Sequence, residues 1–334
     1  MDAPHNRPLS TRRLSWILGV AAIAALVVFV VKLSEERAFV RMLERANPWW
    51  LVVAFALQLL TYASSGAIWS FITRRTGGAL SIGAALGLSV TKLFVDQSLP
   101  SGGLSGAAVV AGALERRGIA RPIAYATLIA DAVGYYAAYI LALATALLIA
   151  GVQGHASTVI VVPAALFGSF AAAVIVVLIV FAGRSSGARA PTRIPFLRRA
   201  LLVIRRADRD VVRDRRNLLA ATLLEIAIIV LDATTTWTLI RALGFEAPFL
   251  GVYAAFLVAS LFRTISITPA GLGAFEAVSV ITLEAIGVPL AVALSATLLF
   301  RGLSFWLPML PGLVLAHRIR TSGPTSGDMQ DGRA

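Results

Sequence analysis

Hydrophobic residues along this chain gather into long blocks separated by short basic segments. The blocks fall at Leu14 to Val31 and at residues 48–72, 79–98, 100–114, 120–150, 157–182, 218–241, 249–267, 269–286 and 289–316. Six of them are long enough for one helix to cross about 30 Å of hydrocarbon. The other four form two pairs, which meet at Leu99-Pro100-Ser101-Gly102-Gly103-Leu104 and at Thr268-Pro269-Ala270-Gly271-Leu272-Gly273. Each half of a pair is short, interrupted or carries ionisable residues, so the pairs are expected as re-entrant hairpins or broken helices. The expected fold class is an all-α polytopic membrane protein, with about six full spans plus two re-entrant or broken helix pairs in an inverted pseudo-repeat.

The repeat is read from recurring features. Leu93-Phe94, then Pro100 with Gly102 and Gly103, then Gly118-Ile119 and Pro122 match Leu261-Phe262, then Pro269 with Gly271 and Gly273, then Gly287-Val288 and Pro289. The paired prolines are 22 residues apart in the first half and 20 in the second. Paired interrupted segments in corresponding positions are the best sequence pointer to a transporter's midplane site. Proline removes a backbone donor and glycine permits unwinding, so such breaks are tolerable in hydrocarbon only where protein or a wet cavity shields them.

Composition agrees with the pattern: 334 residues, 58% apolar, 14% charged, and a mean hydropathy of +0.83. No polar stretch is long enough for a separate soluble domain. Residues 1–317 read as a single transmembrane domain, 184–217 as a cytoplasmic basic amphipathic loop, and 318–334 as a disordered cytoplasmic tail. The first block follows Arg7, Arg12 and Arg13 as a signal peptide's core would, but it has spanning length and lacks a polar cleavage region. It is expected to stay as an anchor.

The net charge of +13 comes from basic residues flanking the apolar blocks, where they act as topology signals and contacts for anionic lipid instead of nucleic acid. With a cytoplasmic N-terminus, 22 Lys and Arg residues fall in inner segments and 5 in outer ones. Both termini are therefore expected in the cytoplasm. Trp16, Trp49, Trp50 and Trp69 lie near span ends, where indole rings suit the interface. In the long loop, Leu197, Leu201, Ile204 and Val211 keep helical spacing among arginines from Arg198 to Arg216, as in a helix lying on the cytoplasmic leaflet. A solvated linker is the alternative.

Nine ionisable residues sit inside apolar blocks: Lys92, Asp96, Asp131, Glu225, Asp232, Arg263, Glu276, Glu284 and Arg301. A centrally placed charge costs about 2.5 to 3.5 kcal/mol on insertion scales, so most must pair, snorkel or face water. Lys92 and Asp96, one turn apart, either neutralise each other or serve a substrate; Glu225 and Asp232 share a helix face as interhelical glue. Arg263 and Arg301 carry forks that match phosphate oxygens, and next to loosened helix N-termini they form an anion site. The competing reading is a structural bridge, Arg263 with Glu276 or Arg301 with Asp131. Three cations against six anions leave surplus carboxylates and a route to proton coupling.

Cysteine is absent, and His5, His155 and His317 have no ligand spacing, so no metal or other cofactor is expected. No Ser/His/Asp arrangement or phosphate-binding glycine loop appears, so no enzyme is expected either.

Three stretches carry a family resemblance. Leu99-Pro100-Ser101-Gly102-Gly103, Thr268-Pro269-Ala270-Gly271-Leu272-Gly273-Ala274-Phe275-Glu276, and Leu299-Phe300-Arg301 followed by Pro308 and Gly312 resemble the lysylphosphatidylglycerol synthase transmembrane-region family, also called flippase-like or UPF0104-type proteins. Ala270 stands where the family's motif has its first glycine. The resemblance implies a lipid-translocating membrane domain with two halves around a central cavity. The catalytic domain of the family's lysyl-lipid synthases is not expected in this chain.

Together these readings give a membrane lipid translocase in the cytoplasmic (inner) membrane of a bacterium. It moves a lipid with an anionic or polar headgroup. The expected substrate-binding residues are Lys92, Asp96, Pro100, Gly102, Gly103, Asp131, Arg263, Pro269, Gly271, Gly273, Glu276 and Arg301. Arg263, Arg301 and Lys92 would hold the phosphate, leaflet lipid would meet Arg198 to Arg216, and a homo-oligomer is compatible with the sequence. The alternative is a secondary transporter of a small anionic solute.

Overall fold

A computed structural model describes residues 44, 46–98, 103–152, 158–183, 195–266 and 268–321. The expected first span, together with Pro100, Ser101 and Gly102, lies outside the described residues. Among the described residues the chain is helical throughout and has no strand. The helices are α1 (Pro48–Arg75), α2 (Ile82–Ser98), α3 (Leu104–Glu115), α4 (Arg121–Val152), α5 (Thr158–Phe181), α6 (Pro195–Arg206), α7 (Arg209–Arg213), α8 (Arg215–Ala242), α9 (Phe249–Ile265), α10 (Ala274–Ala285), α11 (Leu290–Arg301) and α12 (Leu307–Thr321). A 3-10 turn, Pro269–Gly271, lies between α9 and α10, and a π turn, Gly302–Trp306, joins α11 to α12.

Five stretches are long and apolar enough to cross a membrane: Pro48–Arg75, Arg121–Leu148, Ala164–Phe181, Arg215–Ala242 and Leu290–Leu315. The protein is therefore an all-α, multi-pass integral membrane protein. The two expected interrupted pairs are α2 with α3 and α9 with α10. Helices α2 and α9 have 17 residues each, about 26 Å, whereas α3 and α10 have 12, about 18 Å. Lengths recur around them: α1 and α8 both have 28 residues, and α4 has 32, as does the stretch from Leu290 to Thr321.

Among the described residues, helices α1 and α8 form the most extensive pair. Their starts are set locally. Asn47 Oδ1 accepts from the Trp49 N–H at 3.0 Å ahead of Pro48, which needs no N–H partner in the first turn. Asp214 Oδ1 caps α8 through the Arg216 N–H at 2.8 Å. Asp214 also ties the end of α1 to the start of α8, through Arg75 at 2.7 Å. That guanidinium beside it holds the Asp214 carboxyl below its ordinary range.

The loop expected as one basic amphipathic helix is divided. Asp208 stops α6 and starts α7 by accepting from the Asp210 and Val211 N–H groups, because its carboxylate offers the backbone a cap where a helix interior would leave it unused. Helix α12 runs to Thr321, so the first residues of the expected tail belong to it.

Pro308 accounts for the π turn. A proline at this position has no N–H to return to the preceding turn, which leaves the carbonyls of Leu303 and Ser304 without helical partners. Two other helices supply them: Tyr62 on α1 donates its hydroxyl to the Leu303 carbonyl, and Gln97 on α2 donates its amide to that of Ser304 at 3.2 Å. Helix α12 then lies against α2 through Gly312, where any Cβ would collide with Phe94.

Candidate functional site

The second break forms one ionic cluster. After α9 the chain turns at Pro269–Gly271, with Ala270 at φ 52° and Gly271 at φ 66°, and restarts as α10 behind Gly273 at φ 86°. Only glycine occupies such a conformation freely, so Ala270 is strained. Gly271 is required for a second reason, since a Cβ there would lie 2.6 Å from Cγ of Arg263. The break is thus packed directly on the arginine that precedes it.

Glu276 turns back to cap its own helix, accepting from the Gly273 N–H at 2.7 Å. Its other oxygen lies 2.6 Å from Arg301 Nε, with both side chains 5% exposed. The oxygen sits off the N–H axis, so the contact is ionic rather than a directed hydrogen bond. Arg301 also donates from Nη2 to the Ala270 carbonyl at 3.3 Å, and its guanidinium faces the rings of Phe275 at 5.5 Å and Phe305 at 4.8 Å. Arg263 faces Phe275 at 5.9 Å and reaches Tyr139 Oη at 3.5 Å. Two arginines therefore share one aromatic ring at the break.

A second cluster lies at the first break. Lys92 and Asp96 on α2 form an ion pair at 3.2 Å, and Asp96 Oδ1 accepts from the Gly106 N–H at 2.9 Å, which caps the start of α3. Gly106 is needed there because a Cβ would overlap the Asp96 carboxylate. Gly103, at φ 86°, precedes α3 as Gly273 precedes α10. Asp131 on α4 accepts from Trp69 Nε1 at 3.1 Å, and it interacts electrostatically with Glu225, which is buried on α8.

Between the clusters, Asp232 accepts from Thr61 at 3.1 Å and Gln58 at 3.5 Å and interacts electrostatically with Arg263. Four atoms next to the breaks are buried and make no hydrogen bond within the described residues: Gln97 Oε1, Ser304 Oγ, Glu276 Oε1 and Arg301 Nε. Helix α2 also packs against the Pro269–Gly271 turn, which brings the first pair to the second break.

The structure thus places ten of the twelve expected residues in these two clusters, with Pro100 and Gly102 outside the described residues. Glu276 pairs with Arg301, not with Arg263, and Asp131 pairs with Trp69, not with Arg301. Glu284 is exposed. Trp69, expected at the membrane interface, is fully buried. The helix starts offered to a phosphate are already capped by the chain's own carboxylates, Asp96 and Glu276. Trp69, Tyr62, Gln97, Gln58, Thr61 and Tyr139 were not legible as site residues, because each acts through a partner more than 60 positions away.

Residues 16–312 match the family model described as the lysylphosphatidylglycerol synthase TM region. The chain is similar to a UPF0104 membrane protein of Methanocaldococcus jannaschii, 23% identical over 82% of this chain and 86% of that one. A UPF0104 membrane protein of Methanothermobacter thermautotrophicus is 24% identical over 87% and 90% respectively. A third, from Pyrococcus horikoshii, is 31% identical over 33% of each chain. With both breaks and the Arg301 motif inside the matched span, the chain belongs to the lysylphosphatidylglycerol synthase transmembrane-region family.

Proposed function

We propose that this protein is a lipid translocase, not an enzyme, and that it carries an anionic or polar headgroup between leaflets while the acyl tails stay in the bilayer. The observation that supports this most is the pair of arginines, Arg263 and Arg301, which lie 5.9 and 5.5 Å from the Phe275 ring at the second break. Arg301 is held by an undirected contact to Glu276, so a phosphate can take the place of that carboxylate and gain a bidentate match. A headgroup exchanging with Glu276 would also release the Gly273 N–H, a donor suited to anions.

Each interrupted pair is read as entering and leaving on one side of the membrane, around a central cavity. The recurrence of 28, 17, 12 and 32 residues supports an inverted repeat of two halves. The arginine bias supports cytoplasmic termini, and α6 with its basic neighbours would rest on cytoplasmic-leaflet lipid.

The test is reconstitution into liposomes carrying NBD-labelled phosphatidylglycerol, with reduction of the outer label by dithionite. The reading predicts that label from both leaflets becomes accessible. Accessibility equal to that of protein-free liposomes would overturn it, and uptake of labelled inorganic phosphate without lipid movement would favour the solute transporter.

A further inference from the structure

Helices α1 and α8 run antiparallel and are tied at both ends. The Asn47 N–H donates to the Ala242 carbonyl at 2.9 Å, and Arg75 pairs with Asp214 at 2.7 Å. Between those ties, Gln58 and Thr61 on α1 meet Asp232 on α8, and the three residues are 1%, 7% and 9% exposed. Both helices are long and apolar enough to span a membrane, so Asp232 lies near mid-depth, where a carboxylate needs a counter-charge. No ion pair among the described residues includes it. Arg263 acts on Asp232 from a distance and directs its own contacts to Tyr139 and Phe275.

Two features of this contact suit oxygen ligands around a cation. Thr61 has a single hydroxyl hydrogen but two acceptors in range, the Leu57 carbonyl at 3.3 Å and Asp232 Oδ1 at 3.1 Å. When the hydrogen goes to Leu57, Thr61 Oγ1 and Asp232 Oδ1 face each other as two oxygens. Gln58 Nε2 stands 3.5 Å from the same Oδ1, long for a bond to a carboxylate, while Gln58 Oε1 is buried without a donor. A half-turn of the amide exchanges those two atoms and gives Oδ1 a second oxygen neighbour. Oxygens that share one hard cation at about 2.3–2.6 Å stand about 3–3.6 Å apart, which is the spacing of this contact.

The donor set selects the ion. One carboxylate, one amide and one hydroxyl offer hard oxygens without nitrogen or sulfur, so a transition metal is disfavoured, and a single negative charge is balanced by a monovalent cation. Coupling ions of transporters bind near the midplane at the interface of structural repeats, and α1 and α8, with 28 residues each, would open the two halves of the proposed repeat.

We propose that Gln58, Thr61 and Asp232 bind one sodium ion between α1 and α8. The ion exchanges with solution as a co-substrate, and water completes its shell. Without the ion, Gln58 turns its amide nitrogen to Asp232; with it, the amide oxygen. The next residue on α1, Tyr62, donates its hydroxyl to the Leu303 carbonyl in the π turn that follows Arg301, so movement of α1 on ion binding reaches the headgroup site. This coupling alone rests on the translocase reading.

Equilibrium binding of radiolabelled sodium to the purified protein, at ionic strength held constant with choline chloride, tests the site. Saturable binding of one ion per chain is expected. The dissociation constant should rise about tenfold or more in Thr61→Val and in Gln58→Leu. Binding should be lost in Asp232→Asn and kept in Glu246→Gln, whose carboxylate is exposed. No saturable binding to the native protein, or native affinity in Asp232→Asn, overturns the proposal. Should Asp232→Asn fail to fold, native affinity in both Thr61→Val and Gln58→Leu overturns it equally. Displacement of the label by calcium at lower concentrations than by unlabelled sodium overturns the assignment to a monovalent ion. In liposomes, a sodium gradient is expected to change the rate of NBD-phosphatidylglycerol movement in the native protein and not in Asp232→Asn. Equal native rates with and without the gradient overturn the coupling and leave the ion site standing. Sodium binding as expected in a protein that moves no lipid overturns the translocase reading and likewise spares the ion site.

Discussion

Replacing Arg301 by methionine keeps most of the side-chain volume but strands Glu276, which is 5% exposed and 2.6 Å from the missing charge. Removing one partner of a buried ion pair costs about 3–5 kcal/mol, most of it from the carboxylate left behind. Lost stacking on Phe275 and Phe305 adds about 0.5–2 kcal/mol to the same change. Glu276→Gln isolates the ionic part, since an amide oxygen can still accept from the Gly273 N–H. In the double variant no unpaired charge remains, and buried pairs replaced by neutral groups of similar size are often no less stable. The double variant should therefore recover most of the loss, with a non-additivity of about 2 kcal/mol or more. Denaturant unfolding in detergent micelles, followed by tryptophan fluorescence, measures all four corners of this cycle. If Arg301→Met unfolds with native stability, or if the two single losses simply add, the ion pair is not a coupled buried unit. Lipid movement in the stable double variant then separates function from folding: the translocase reading expects headgroup transfer to be lost there.

Three further outcomes follow from the geometry. Ala270→Gly removes about 1–2 kcal/mol of left-handed strain against about 0.5–1 kcal/mol of added chain entropy, so unfolding should show a net gain of about 0.5–1 kcal/mol, and a loss would contradict the φ of 52°. Gly106→Ala pushes the Asp96 carboxylate off the start of α3 and should cost about 1.5–3 kcal/mol for the charge-assisted bond, while the same substitution at the open Gly83 should not. Asp214, held below its ordinary range by Arg75, contributes stability that is present above the unfolded carboxylate value of about 4 and is lost as pH falls through the lower folded value. Because the pair is about one-third exposed the effect is small, and Asp214→Asn should flatten that acid arm in unfolding curves.

Where the sequence was legible, the determining physics was local. Runs of apolar residues of spanning length need no partner to become helices, which is why the five stretches from Pro48–Arg75 to Leu290–Leu315 coincide with the expected blocks. The second break was legible for a similar reason, since Pro269 and the glycines at 271 and 273 act on their own backbone. Lys92 and Asp96 could be paired from their four-residue spacing alone. The π turn is an intermediate case. Pro308 is visible in the sequence, but whether it kinks, breaks or widens a helix depends on who satisfies the freed carbonyls, and those donors come from Tyr62 and Gln97 on two other helices.

The partners of the remaining charges depended on which helices lie side by side. Asp131 meets Trp69 instead of Arg301 because α4 packs against α1, and Glu276 meets Arg301 because α10 packs on α11. A composition argument says that nine charges in hydrocarbon must be compensated. It does not say by whom. Trp69 makes the point most sharply. An indole near the end of a hydrophobic run is read as an interface anchor, since its N–H wants water while its ring wants lipid. Burial beside a carboxylate satisfies the same two demands, and Asp131 supplies it at 3.1 Å. The same side-chain chemistry therefore fits the membrane surface and the ionic interior equally well, and only the approach of α4 to α1 decides between them.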